Sequence, residues 1–345
     1  MHKLYQNRED YLRHAQMLTD EERGLITDFE NWLPKNIIDA HSHSNLSEHV
    51  DDIPNEAFNH MLSTFPSFTI EESRVIQRLL HPSKSIRSLR FPNVFRGIDH
   101  KAANDFLLRH STDKDRVAIF GLPEDIAYTV DALADPRVAA LKMYYSYLRP
   151  PATKIYQIFK PRILEAAEST GKPIVLHTPR VITESFEEVI TLHNDFPDLA
   201  ISIAHLGSSK FDLPELQDAY DALAEGTNVM LDTALNPSLE VCVRALKVFG
   251  SKRIMFGSDE PLNLIRSVPY VHPEIGQRIV ASYPYHWVDP QEHEEYGHLA
   301  NGAVHSHWLS LLALRGAISN LPETEQESTK QNVFHDNAQV FYGFE

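Results

Sequence analysis

The run Ile37-Ile38-Asp39-Ala40-His41-Ser42-His43 ends on two imidazoles one residue apart. In a strand, residues two apart face the same way, so His41 and His43 project together and offer two nitrogen ligands to one point. The same kind of ending recurs along the chain. Single histidines close Pro173-Ile174-Val175-Leu176-His177 and Ile201-Ser202-Ile203-Ala204-His205, and an aspartate closes Ile254-Met255-Phe256-Gly257-Ser258-Asp259. Neutral imidazoles and a carboxylate brought to one place suit zinc or a related divalent ion. Chance spacing is the competing explanation, because the chain holds 19 histidines and His305 and His307 repeat the one-residue spacing. Those two fall in 301–318, which reads as a helix, where such spacing splays side chains apart. The strand-end set differs in kind: four separate apolar runs carry a metal-ligating residue type at the same end.

These side chains meet only if the runs are parallel strands whose C-terminal ends share one mouth. From Ile37 onward the chain repeats a β-branched run, a polar or histidine-bearing end, and a helical stretch closed by Gly or Pro, as βα units do. Strands are expected over 37–43, 117–123, 138–145, 173–178, 200–207, 228–233 and 253–259, with 94–99 as an eighth. Asp212 and Pro214 open a helix that stops at Gly226, and Asn236 and Pro237 open one that stops at Gly250. The expected fold is α/β, a (β/α)8 TIM barrel forming a single domain over 1–345. Residues 1–36 form a helical prelude, with Asp20, Glu21 and Glu22 after Thr19 marking a helix start. The stretches 44–116 and 262–301 are too long for simple connections and read as insertions or lids at the barrel mouth.

Bulk properties agree with a globular enzyme and exclude other classes. Of the 345 residues, 42% are hydrophobic and 23% charged, enough apolar material for a large core and too little charge for disorder. The 32 basic and 48 acidic side chains leave a formal charge of -16, which repels nucleic acid and anionic lipid. With Cys242 as the one cysteine, no intrachain disulfide forms. The polar N-terminus lacks a signal-peptide core and no apolar run is long enough to span a bilayer, so the expected location is cytoplasmic.

The ordered motifs resemble the amidohydrolase superfamily, and the phrases around them its amidohydrolase-related (type 2) branch. They are Asp39-Ala40-His41-Ser42-His43, Leu141-Lys142-Met143-Tyr144, Ile174-Val175-Leu176-His177, Ala204-His205-Leu206-Gly207, Phe256-Gly257-Ser258-Asp259-Glu260-Pro261 and the tail around Asp336-Asn337-Ala338. The resemblance runs nearly end to end. It implies that His41, His43, His177 and Asp259 bind metal, and that His205 either binds a second ion or polarises substrate and water beside a single one. Lys142 stands where some family members carry a carboxylated lysine that bridges two ions. The alternative is a free ammonium paired with Asp259 or with a substrate anion. One or two divalent ions, zinc foremost, are therefore implied.

The chemistry expected is hydrolysis: Asp259 takes a proton from water, which attacks an amide, ester or lactone carbonyl, with His205 assisting. The alternative is nonoxidative decarboxylation or hydration of an unsaturated or aromatic acid, and a third reading keeps the metal as structural in a binding protein. For a small, carboxylate-bearing substrate, Arg180 beyond His177 and Tyr144 beyond Lys142 are the expected contacts. Arg87, Arg90 and Arg96 form a second candidate for holding a carboxylate, and the aromatic stretch Tyr283 to Trp287 is a candidate lid. A homodimer is expected by analogy with other barrels.

Overall fold

A computed structural model describes residues 13, 15–49, 67–94, 97–145, 148, 150–282 and 289–345. Eight parallel strands stand side by side in chain order. They are β1 (Asn36–His43), β2 (Ser85–Phe91), β3 (Asp115–Phe120), β4 (Val138–Met143), β5 (Ile174–Leu176), β6 (Ile201–Ile203), β7 (Met230–Asp232) and β8 (Ile254–Met255). The segment leaving β8 closes the ring against β1. Ala40 N–H donates to the Phe256 carbonyl at 2.9 Å, Asp259 N–H to the His41 carbonyl at 2.7 Å, and His43 N–H to the Glu260 carbonyl at 2.7 Å. The fold is the expected (β/α)8 barrel.

Strands covered on both faces lose the alternation of a half-exposed sheet, which is why these runs read as continuously apolar. In β1 every residue after Asn36 is buried. The helices supply the outer cover through one apolar face each. In α5 (Glu215–Gly226) the buried side chains are Leu216, Ala219, Tyr220 and Leu223, the spacing of a single helical stripe. Other helices of the outer layer are α1 (Asp20–Trp32), α2 (Ile70–Leu80), α3 (His100–His110), α4 (Ile182–Asp195), α6 (Leu239–Phe249) and α7 (Ser306–Ser319). The start of α1 is fixed by a reciprocal pair, Thr19 Oγ1 accepting Glu22 N–H and Glu22 accepting Thr19 N–H. Glu22 is fully buried and also lies 3.0 Å from Arg266 and 3.0 Å from His305 Nδ1, so the prelude is locked to the last part of the barrel. Among the described residues no helix is long and apolar enough to cross a membrane.

The second strand is Ser85–Phe91 and not 94–99. Its arginines disguised it, because Ser-Ile-Arg-Ser-Leu-Arg-Phe reads as a half-solvated segment. Arg90 is instead completely buried, donating to Asp115 (2.9 Å), Ser42 (2.9 Å), Ser73 (2.8 Å) and Ser88 (3.3 Å). A barrel strand and the following α3 therefore lie inside 44–116, which is not an insertion over its whole length. Nor do Arg87 and Arg90 share an anion-holding patch, Arg90 being buried among its own partners. Arg87 donates to the Glu345 carbonyl and Arg96 lies outside the described residues. The stretch 262–301 leaves the barrel sheet and carries an antiparallel pair, β9 (Ser267–His272) with β10 (Gly276–Ala281). The aromatic stretch Tyr283 to Trp287 lies outside the described residues.

Arg90 and Arg74 hold the buried Asp115 carboxyl below its usual range against the opposing pull of burial. A depressed carboxylate contributes stability that is complete above its unfolded pKa, roughly 4, and is lost as pH falls through the folded value. Removing Arg90 leaves Asp115 and Glu260 buried with less compensation, so Arg90→Met is expected to destabilise the fold by about 3–5 kcal/mol at neutral pH. Urea unfolding of both forms at pH 7 and pH 4 measures it. The deficit should shrink at the lower pH, and a loss under 1 kcal/mol at pH 7 would contradict a structural role for this ion pair.

Candidate metal centre

The mouth of the barrel gathers side chains that are far apart in sequence. His41 and His43 end β1, Lys142 lies one residue before the end of β4, His177 follows β5, His205 lies two residues past β6, Asp232 ends β7, and Asp259 follows β8. Donor atoms of His41, His205 and Asp259 all lie within 4.8 Å of one another, positioned to hold a metal ion. His43 joins them through Asp259, its Nε2 lying 3.1 Å from Oδ1, which is also 3.5 Å from His41 Nε2. His177 stands next along the row, its ring centre 5.0 Å from that of His205.

Each imidazole is tethered through its other nitrogen. His43 Nδ1 lies 3.0 Å from the Pro92 carbonyl, His177 Nδ1 3.1 Å from the Thr178 carbonyl, and His205 Nδ1 2.9 Å from the Ala234 carbonyl. A carbonyl only accepts, so these bonds require the proton on Nδ1 and leave Nε2 bare. His41 follows the same rule with a carboxylate, Nδ1 lying 2.9 Å from Asp232 Oδ2. Four Nε2 lone pairs are thus available at the mouth, and tethered imidazoles of this kind are what metal ligation uses.

Protonation equilibria favour the same state. Burial pushes His205 down to about 4, with His41 adding to the effect, and it pushes His177 well below the usual value with help from His205. His41 is lowered by burial against the pull of Asp232. These rings are neutral at physiological pH. Burial alone would raise Asp232, but His41, whose Nδ1–H donates to it, overcomes this and holds it down to about 2. Asp232 is an anion.

The donor set passes a direct test of fit. Asp259 Oδ1 is buried, faces two bare ring nitrogens and makes no geometrically sound hydrogen bond. An acceptor crowded against acceptors is costly unless a cation sits among them. Lys142 is the lysine of the row, almost wholly buried, with its Nζ lacking a hydrogen bond and lying 5.0 Å over the Phe91 ring. Burial lowers its pKa to about 8 against the attraction of Asp232 and Asp259.

Local backbone geometry serves these positions. Gly257 lets the segment after β8 approach β1, since a Cβ there would stand 2.8 Å from His41 Cβ. Gly207 has φ +74, and a Cβ there would stand 2.5 Å from Ile182 Cβ at the start of α4. His205 (φ 58) and Asp259 (φ 59) themselves occupy the left-handed region, an uncommon conformation that side-chain-bearing residues hold at a cost.

Tyr144 packs edge-on to His177 with ring centres 4.8 Å apart, so it lines the mouth. Arg180 does not turn toward the imidazoles. It lies 3.4 Å from Glu184 and 3.4 Å from Glu188, on its own loop and helix. The other spaced pair also goes elsewhere, His305 to Glu22 and His307 to His81, whose Nε2 lies 2.7 Å from its own. Sequence reasoning missed two residues. Asp232 closes the apolar run Val229-Met230-Leu231 exactly as the chosen residues close theirs, and that signal was there to be used. Lys210, exposed near the mouth and within the field of Asp259, carries no such signal.

Fold and site together describe a parallel barrel with a candidate metal site at its mouth, and comparison with known proteins gives the family. The Amidohydrolase family model (Amidohydro_2) matches residues 87–344, and the chain belongs to that family. A comparison with curated proteins returns no match. Among solved structures it is similar to a zinc-bound amidohydrolase from Burkholderia multivorans, at 13% identity over 89% of this chain and 99% of the other, TM-score 0.58. It is also similar to a probable 2-pyrone-4,6-dicarboxylic acid hydrolase from Acinetobacter baumannii with citric acid bound (13% identity, 90% and 100% covered, TM-score 0.57). A third is 5-carboxyvanillate decarboxylase from Novosphingobium aromaticivorans with manganese and a nitrobenzoic acid (13% identity, 91% and 97% covered, TM-score 0.55). At such identity these likenesses speak for the fold.

The bare nitrogens and the orphaned carboxylate oxygen predict tight uptake of a divalent ion. Protein stripped with a chelator and dialysed against zinc should regain it by elemental analysis, whereas the His41→Ala, His43→Ala double variant should not. Equal uptake by both folded proteins would move the site elsewhere.

Proposed function

We propose that the protein is a metal-dependent hydrolase that directs water at an amide, ester or lactone carbonyl of a small, carboxylate-bearing substrate. The observation that carries this reading is the unpartnered Asp259 oxygen among bare imidazole nitrogens, a base and a ligand set in one place. His41, His43, His177, His205 and Asp259 would hold the ion, zinc being suited to imidazole and carboxylate together. A divalent ion there supplies acidified water and polarisation of the carbonyl. Asp259 accepts the proton from the attacking water, which none of the tethered imidazoles is as well charged to do. His205, with a bare Nε2 and its proton committed to Ala234, fits a ligand rather than a hydrogen-bond donor to the carbonyl.

The grouping of His41, His205 and Asp259 around one point supports a single ion, since a second would draw His205 away from His41. Lys142 then remains an amine. The ion's two positive charges would offset the single negative charges of Asp232 and Asp259, so that Lys142 is the side chain that can add positive charge to the mouth of an acidic protein. Lys210 adds to that field. Such a site favours an anionic substrate, and Tyr144 supplies an apolar wall with a polar tip. Elemental analysis should find one ion per chain, and a density map should show an unmodified Lys142. Two ions bridged by a carboxylated Lys142 would overturn the one-ion form.

Products decide the reaction. A screen of N-acyl amino acids, lactones and carboxylated arenes should yield a new carboxylate from one of the first two classes. Release of carbon dioxide from an arene acid, with no hydrolysis, would replace this reading by a decarboxylase acting through the same ligands. With a substrate in hand, Asp259→Asn keeps an oxygen near the ion but loses the base. Turnover per bound ion should fall by roughly two to four orders of magnitude, the scale of general base catalysis. A drop of only a few-fold, with chemistry rate-limiting in both forms, would remove Asp259 from that role.

A further inference from the structure

Asp232 is wholly buried and sits at the last position of β7. Its carboxylate receives three N–H groups on two oxygens. Oδ2 lies 2.9 Å from His41 Nδ1, while Oδ1 accepts the backbone N–H of His205 at 2.9 Å and that of Ala234 at 3.1 Å. One carboxylate thus holds the ring of one candidate ligand and the main chain of another, the latter at φ 58. We propose that Asp232 is the positioning residue of the centre, fixing His41 in the tautomer whose Nε2 is bare and clamping the left-handed turn that presents His205. The proposal rests on the metal-centre reading above.

The chemistry of an amide gives this proposal an unusual consequence. A carboxylate can accept from all three donors, but an asparagine has one accepting oxygen. If that oxygen stays with the backbone N–H groups of His205 and Ala234, the amide NH2 faces His41 Nδ1, which must then accept. The ring proton moves to Nε2 and blocks the ligand position. If the amide is turned the other way, its NH2 meets two backbone donors. The isosteric variant is therefore at least as damaging as truncation, the reverse of what a packing role predicts.

The test compares zinc affinity of the unmutated protein, Asp232→Asn and Asp232→Ala by chelator competition. It also reads the His41 tautomer by nitrogen NMR of metal-free, histidine-labelled protein, with the His41 signals assigned through His41→Gln. Affinity should fall ten- to a hundred-fold in Asp232→Ala, the range typical of lost outer partners, and at least as far in Asp232→Asn. His41 should carry its proton on Nδ1 in the unmutated protein and on Nε2 in Asp232→Asn. Zinc binding by Asp232→Asn within two-fold of the unmutated protein, or clearly tighter than that of Asp232→Ala, overturns the proposal. If both variants fail to fold, the tautomer in the unmutated protein decides, and a proton on Nε2 rejects it. Should the unmutated protein take up no ion, the metal-centre reading fails, and the two tautomer measurements judge Asp232 separately.

Discussion

The seam between β8 and β1 is where the barrel closes and where the site is made. Three backbone hydrogen bonds set its register: Ala40 to Phe256, Asp259 to His41, and His43 to Glu260. Side chains alternate along a strand, so a slip of one residue would turn His41 and His43 out of the barrel and bring Ser42 in. Asp39 secures this register from within. Its Oδ1 accepts the N–H groups of His41 and Ser258, and Ser258 Oγ donates to Oδ2 at 2.5 Å. The carboxylate spans the seam just below the ligands and ties the two segments that supply His41, His43 and Asp259.

Such a device places charge between the strands and the helix packed against them. Burial and the nearby Glu260 push Asp39 up to about 7, despite the bonds from Ser258 and His41. Glu260 is likewise raised by burial, while Arg90 and its contacts with Ser73 and Gln77 pull it back. Arg90 then links Glu260 (3.6 Å) to Asp115 (2.9 Å), and Arg74 reaches Asp115 from α2 at 2.5 Å. A buried network of this kind is poor at adding net stability compared with apolar packing. Its return is geometric, because hydrogen-bonded groups fix orientation where aliphatic ones slide. Here it runs from the helix outside β2 to the residue that follows Asp259.

How much of this the sequence revealed depended on the environment of each residue. His41, His43, His177, His205 and Asp259 were legible because each ends an apolar run, and parallel strands buried on both faces advertise their ends. Lys142 stood out as a charge within an apolar strand. β2 was hidden because Arg90, a charged residue, is buried and paired, and its partners on β1, α2 and β3 are ones no local pattern can reveal. Arg180 lies elsewhere than its place in the sequence suggests. Its position after His177 was right for a substrate contact, but Glu184 and Glu188 lie one and two helical turns on and offer nearer partners. Which nitrogen of His43 and of His205 faces the mouth was also beyond the sequence, since it depends on the carbonyls of Pro92, just past β2, and Ala234, two residues past β7.

Backbone conformation carries the last part of the design. His205 and Asp259 both adopt positive φ, which an L-residue does not choose unaided. Each is held there by a bond from β1 or its partner: Asp259 N–H by the His41 carbonyl, and His205 N–H by the Asp232 carboxylate that also grips His41. His41 is thus connected to both strained residues, through its main chain to one and through its ring to the other. The two turns and the first-strand histidine cannot relax independently. Strain that would otherwise be spread among three loops is tied to one strand end, and the donor atoms within 4.8 Å of one another inherit the rigidity of β1 rather than the freedom of the loops that carry them.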